Sequence, residues 1–213
     1  MTTPDIQYYI WHDFETTGLD LILDQPVEAA FVVTDTDCNI IQIDGRPAIR
    51  QAVFWPDNDR LWKNPVVKKM HEDSGLMQDI FAARTDTPNY GQVQEFLTGE
   101  VTDMLYSISK ARVYRFAGSG VERYDRHILD TYWPAWLTTW NIDYRDHDVS
   151  NVRTWFKDNG FLWLIGEEES ASEHRALADC LRSIALETRM RDWLMETVRL
   201  AQTTQAHPLH ITK

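Results

Sequence analysis

The chain is expected to fold as a single α/β domain whose sheet has mixed strand direction and is flanked by helices. Three observations carry that expectation. β-forming runs crowd the stretch up to Trp55, helical tracts then alternate with two more short β-type runs, and the 213 residues contain no linker, repeat or low-complexity tract. A chain of this length has ample material for one core.

Tyr8 to Phe14 is rich in β-formers and short enough for a buried strand. Val27 to Asp37 reads as a second strand, with Phe31, Val32 and Val33 in its middle. Cys38 to Ile43 and Gln51 to Trp55 give a third, interrupted around Gly45-Arg46-Pro47. Short links make these three an antiparallel meander. A helical tract opens near Asn64-Pro65, where proline suits the first turn, and another covers Gln92 to Leu105. Arg112 to Ala117 forms a short strand, and Val121 to Tyr132 a helix that stops near Pro134. Asp143 to Val149 is the fifth strand, followed by a helix at Asn151 to Asp158. The last helix runs from about Ala171 to Leu200, with Leu177, Leu181, Ile184 and Thr188 at helical spacing. The domain thus spans 1–200, and 201–213 reads as a polar tail.

The formal charge of −12, from 21 Lys and Arg against 33 acids, argues against a protein that grips long duplexes. It leaves short or single-stranded nucleic acid open, because metals and local groups can take the phosphates. No secretory or membrane segment is expected, since charged and polar residues interrupt every apolar run. Cys38 and Cys180 lack metal-ligand spacing and read as reduced thiols of a cytoplasmic protein.

The first strand ends in Asp13-Phe14-Glu15-Thr16-Thr17-Gly18-Leu19. Strand alternation sends Asp13 and Glu15 to one face and Phe14 to the other. Two close carboxylates repel, and a hard divalent cation such as Mg²⁺ or Mn²⁺ relieves both the repulsion and the cost of burial. Near the other end, Ser170-Ala171-Ser172-Glu173 matches a capping box with Ser170 at the N-cap. His174 then falls in the first helical turn or just beyond, near the positive end of the helix dipole, which disfavours imidazolium and leaves a base. Asp179 follows about a turn and a half later. Between these segments, a Gly-Ser-Gly turn precedes a helix bearing Glu122, Asp125 and Asp130, among which spacing alone does not choose.

Taken together, these segments resemble the DEDD-type 3′–5′ exonucleases of the RNase H-like fold, in the subgroup that uses histidine, and most of all the oligoribonuclease family. The likeness rests on Asp13 to Leu19; on Glu28 followed by Val33-Thr34-Asp35; on Gly118 through Asp125-Arg126; on Tyr144-Arg145-Asp146-His147-Asp148-Val149-Ser150; and on His174-Arg175-Ala176-Leu177-Ala178-Asp179. It runs from roughly Ile6 to Trp193. Two departures stand out: one extra residue between Gly118 and Asp125, and Ser119 where the family has Asn.

The resemblance selects Asp125 and implies a two-metal centre. Asp13, Glu15 and Asp179 would hold one Mg²⁺ or Mn²⁺, with Asp13 bridging to a second ion that Asp125 completes. His174 would be the general base, and the product a nucleoside 5′-monophosphate. Thr17, Gly18 and Ser119 fall where the family meets its substrate, and Leu19 resembles a wedge between the last two bases. The family's base-stacking Trp precedes a His-x-x-Ser-Gly-Leu segment; that segment is His71 to Leu76 here, and Trp62 lies further upstream than the pattern has it. Tyr144, Arg145 and Ser150 resemble residues that hold the other end of a short substrate, with Tyr and Arg reaching across a homodimer. The implied substrate is short single-stranded RNA. The alternatives are longer single-stranded DNA or RNA, and an inactive binding module.

Overall fold

The computed structural model describes residues 6–109, 112–122, 124–165 and 173–205. In chain order the first elements are β1 (Tyr8–Thr16), β2 (Pro26–Asp35), β3 (Gln42–Ile43), β4 (Arg46–Pro47) and β5 (Ile49–Val53). Helices α1 (Arg60–Lys63), α2 (Pro65–Asp73), α3 (Leu76–Ala82) and α4 (Asn89–Glu95) follow, and a π-helical segment, Phe96–Val101, joins α4 to α5 (Thr102–Ile108). Then come β6 (Tyr114–Gly118), α6 (Asp125–Tyr132), α7 (Trp136–Thr139), β7 (Ile142–Asp148), α8 (Val149–Asp158) and the long α9 (Ala176–Gln205).

Five strands make one sheet in the order β5-β2-β1-β6-β7. β1, β2 and β5 pair antiparallel, as the meander requires, with Glu15 opposite Glu28. β6 and β7 run parallel to β1. The sheet is therefore mixed and five-stranded, with β1 at its centre. Its two faces carry different layers. Ile10, Phe14, Phe31 and Phe116 pack against α4 to α7, while Trp11, Ala30 and Val32 pack against Ala176, Cys180 and Ile184 of α9. Alternation along β1 puts Asp13 and Glu15 on the Trp11 side, facing α9.

Several boundaries differ from the sequence-based expectation. The first half of the third strand collapses into a turn, because the Asp35 carboxylate accepts from the Asp37 and Asn39 amides and bends the chain. Only the β3–β4 hairpin survives from it. Asn64 caps α2 by accepting from the Val67 amide, with Pro65 in the first turn as expected. α6 begins at Asp125 rather than Val121, and α8 at Val149, where Asp148 accepts from the Ser150 amide.

α9 starts at Ala176 and continues to Gln205. The expected N-cap, Ser170, lies outside the described residues, and His174 precedes the helix instead of occupying its first turn. The cap comes from another strand: the Glu28 carboxylate of β2 accepts from the Ala176 amide at 2.9 Å. Cys38 and Cys180 are both buried and free. No helix among the described residues is long and apolar enough to cross a membrane.

Candidate active site

The three parallel strands β1, β6 and β7 deliver their C-terminal ends to one edge of the sheet, where open α/β sheets bind ligands. Asp13 and Glu15 leave β1 there, and α9 brings Asp179 over them. One carboxylate oxygen from each of the three lies within 4.8 Å of the others. Asp125 joins from the first turn of α6, buried and repelled by both Asp13 and Glu15. It reaches that place because Gly118 lets the chain turn tightly off β6. A Cβ on Gly118 would stand 2.3 Å from Val121 Cγ1 and 2.8 Å from the His12 carbonyl oxygen.

Burial is the main force on Asp13, Glu15 and Asp125, and repulsion from neighbouring acids is the second. The Asp13 carboxyl is pushed up by desolvation, then by Asp179 and Glu28. Glu15 is pushed up to about 8 by burial, then by Asp13, Asp179 and Glu28. Asp125 rises well above the carboxylate range for the same reasons, only partly offset by a backbone hydrogen bond at Phe14. One guanidinium, Arg182, meets Asp179 at 3.1 Å on the rim. Closely set oxygen donors whose like charges repel one another fit a hard divalent cation.

His174, five residues before Asp179 in sequence, lines a cleft of about 830 Å³ with Pro65, Val66, Lys69, Met70 and Arg175. Its φ of 50° places it in the left-handed region, unusual for a residue with a Cβ. Behind the site, buried His71 bonds the Thr16 carbonyl oxygen through Nε2 at 2.9 Å. The sequence reading assigned no role to Glu28, although an acid inside the apolar run Val27 to Val33 was a visible signal. Asp148, quoted only as part of the Tyr144 to Ser150 segment, likewise had no role there; its carboxylate accepts from the Gly120 amide and from both the amide and hydroxyl of Ser150.

No family sequence model matches the chain. An oligoribonuclease of Leifsonia xyli is 34% identical over 180 residues, covering 82% of this chain and 78% of its own length. The chain belongs to the oligoribonuclease family. The human mitochondrial oligoribonuclease is 31% identical over 183 residues, or 84% of this chain and 69% of the relative. Among solved structures, zinc-bound E. coli exonuclease I in complex with single-stranded DNA superposes with a TM-score of 0.60 at 17% identity. That likeness covers 95% of this chain but only 43% of exonuclease I, and it establishes the RNase H-like fold. Family membership makes the chain a phosphodiester hydrolase of the 3′–5′ exonuclease type, and sets aside the inactive-module alternative.

The remaining positions that the oligoribonuclease resemblance singled out are dispersed in their surroundings. Thr17 is buried, and its hydroxyl donates to Asp24 at 2.8 Å, bracing the turn that carries Gly18. The Gly18 carbonyl accepts from the Tyr124 hydroxyl at 2.7 Å, which ties this turn to the start of α6. Leu19 projects from it, 82% exposed. Ser119 is exposed just after β6. Trp62 stacks on Phe81, with ring centroids 5.3 Å apart, and also meets Trp55, so its ring is partly engaged by the fold. Tyr144 is 73% exposed on the edge strand β7. Arg145 beside it is bonded to Asp143, and Ser150 to Asp148.

Proposed function

We propose that the chain removes nucleoside 5′-monophosphates from the 3′ end of short single-stranded oligoribonucleotides, using two divalent cations. The observation that supports this best is the convergence of Asp13, Glu15, Asp179 and Asp125 at one sheet edge. Asp13, Glu15 and Asp179 would hold one Mg²⁺ or Mn²⁺ ion, and Asp125 with Asp13 a second; when bound, such ions would neutralise charge at the reacting phosphate and acidify water.

The chain's own groups do the rest. His174 accepts the proton of the attacking water, whose oxygen bonds to phosphorus as the bond to the preceding 3′ oxygen breaks. The carboxylates align the terminal phosphodiester by what they hold. Leu19 offers an apolar contact to the terminal bases without reading their identity, and its exposure supports that role. Thr17 and Gly18 supply the turn beneath it, while Ser119 and Trp62 flank the path of the strand.

Tyr144, Arg145 and Ser150 hold the far end of the substrate in a homodimer, a reading supported by the exposed Tyr144 ring on an edge strand. The free thiols of Cys38 and Cys180 support a reducing compartment such as the cytoplasm. One observation favours the second reading, a longer single-stranded substrate: the Arg145 fork is already engaged by Asp143.

The decisive experiment offers 5′-labelled RNA and DNA oligomers, from dinucleotides to about twenty nucleotides, with Mg²⁺ or Mn²⁺. The shortest RNA is expected to be cleaved fastest, and Asp179→Ala to abolish turnover. Equal or faster digestion of long DNA would overturn the assignment to short RNA.

A further inference from the structure

We infer that Glu28 is a positioning residue for His174, a role that rests on reading His174 as the general base. Glu28 is fully buried in β2, directly opposite Glu15 of β1. Its oxygens are saturated by protein donors. Gln51 Nε2 donates at 2.7 Å, Arg175 Nη2 at 2.8 Å and Nε at 3.1 Å, and the Ala176 amide at 2.9 Å. A carboxylate so fully engaged serves as an anchor, and it stands outside the group of acids whose oxygens converge.

The anchor acts on the two residues that immediately follow His174. Holding the Arg175 side chain and the Ala176 amide together fixes where α9 begins and how the chain enters it. His174 sits at that entry with φ of 50°, a conformation that costs about 1 kcal/mol or more and persists only where the surroundings impose it. Arg175 is pinned from a third direction by Asp79 of α3, at 2.8 Å. Glu28 thereby links the strand pair carrying Asp13 and Glu15 to the loop carrying the base.

The test compares Glu28→Gln and Arg175→Lys in the full chain with His174 intact and with His174→Ala, using Mn²⁺-activated cleavage of a dinucleotide. His174→Ala alone should lose on the order of a hundredfold in kcat. Glu28→Gln, which keeps an acceptor for Ala176 but loses the fork to Arg175, should lose on the order of tenfold in kcat, with KM and the half-saturating Mn²⁺ within about twofold. In the His174→Ala background it should cost less than about twofold more, because its effect passes through that residue. Arg175→Lys should behave the same way, and its part-exposed side chain keeps the comparison available should Glu28→Gln not fold.

Losses that multiply in the His174→Ala background would make Glu28 a general structural residue, and a large rise in the Mn²⁺ requirement would make it a ligand. Either result overturns the inference. A large loss in His174→Ala beside unimpaired Glu28→Gln and Arg175→Lys removes the positioning role alone. An unaffected His174→Ala removes the general base, and the positioning role with it.

Discussion

Arg145 folds back onto Asp143, two residues earlier on β7, with Nε donating at 2.9 Å and Nη2 at 2.8 Å to a carboxylate that is itself buried. Asp143 is held down to about 2 by that fork and by Arg115. An arginine proposed to take a substrate phosphate is thus already paired with an acid. Asp143→Asn keeps the acceptor oxygen and removes the charge. It should lower KM for a 5′-phosphorylated dinucleotide about threefold to tenfold, the scale of about 1 kcal/mol for one screened pair. A 5′-hydroxyl dinucleotide should show little change. A higher KM for both would mean that Asp143 orients the fork instead of competing for it.

The acidic cluster makes stability depend on pH and metal together. Glu15 titrates near 8 in the fold, against 4.5 for a free glutamate. Between those values the folded state keeps a proton that the unfolded chain has released, so rising pH favours unfolding. As far as this group goes, the metal-free protein is most stable below about pH 4.5 and loses stability up to about pH 8. Divalent cations displace the proton and occupy the same oxygens. The rise in Tm on adding Mn²⁺ should therefore be larger at pH 8 than at pH 6. Thermal scans with and without chelator check this, and an equal rise at both values would count against a cluster that holds protons.

Leu19 is exposed and packs on little, so Leu19→Ala should leave the urea midpoint nearly unchanged, within about 0.5 kcal/mol. Its effect should fall on catalysis: KM for a dinucleotide should rise about threefold to tenfold, as expected for losing an apolar contact worth about 1 kcal/mol. Unchanged kinetics would make it an ordinary turn residue.

Gly118→Ala should do the reverse and act through the fold. The new methyl meets Val121 and the His12 backbone at distances real Cβ atoms do not adopt, so the turn into α6 must shift. Overpacking of this kind costs about 1–3 kcal/mol. Because Asp125 begins that helix, activity should fall further than stability alone explains. Urea denaturation together with kcat measured well below the midpoint separates the two effects.

Much of this molecule was legible before its coordinates. The five strands and the meander follow from β-forming runs and short links, and the facing of Asp13 and Glu15 from period-two alternation, all of them local properties. Asn64-Pro65 announced the start of α2 for the same reason. The start of α9 was not legible, because the local Ser170 signal competes with a buried carboxylate 148 residues away in sequence. Nor was the loss of the third strand's first half, decided by Asp35 bending the chain onto its own amides.

By itself, the sequence determined the fold class and the family, since these rest on β-forming and helical runs and on motifs read in order. Tertiary structure decided that α9 begins at Ala176, capped by Glu28, so that His174 stands ahead of its helix, and that Arg145 is held by Asp143. Those outcomes depend on which partners the fold leaves for its buried carboxylates. A buried carboxylate is satisfied by whichever donors the packing brings to it, at any distance along the chain.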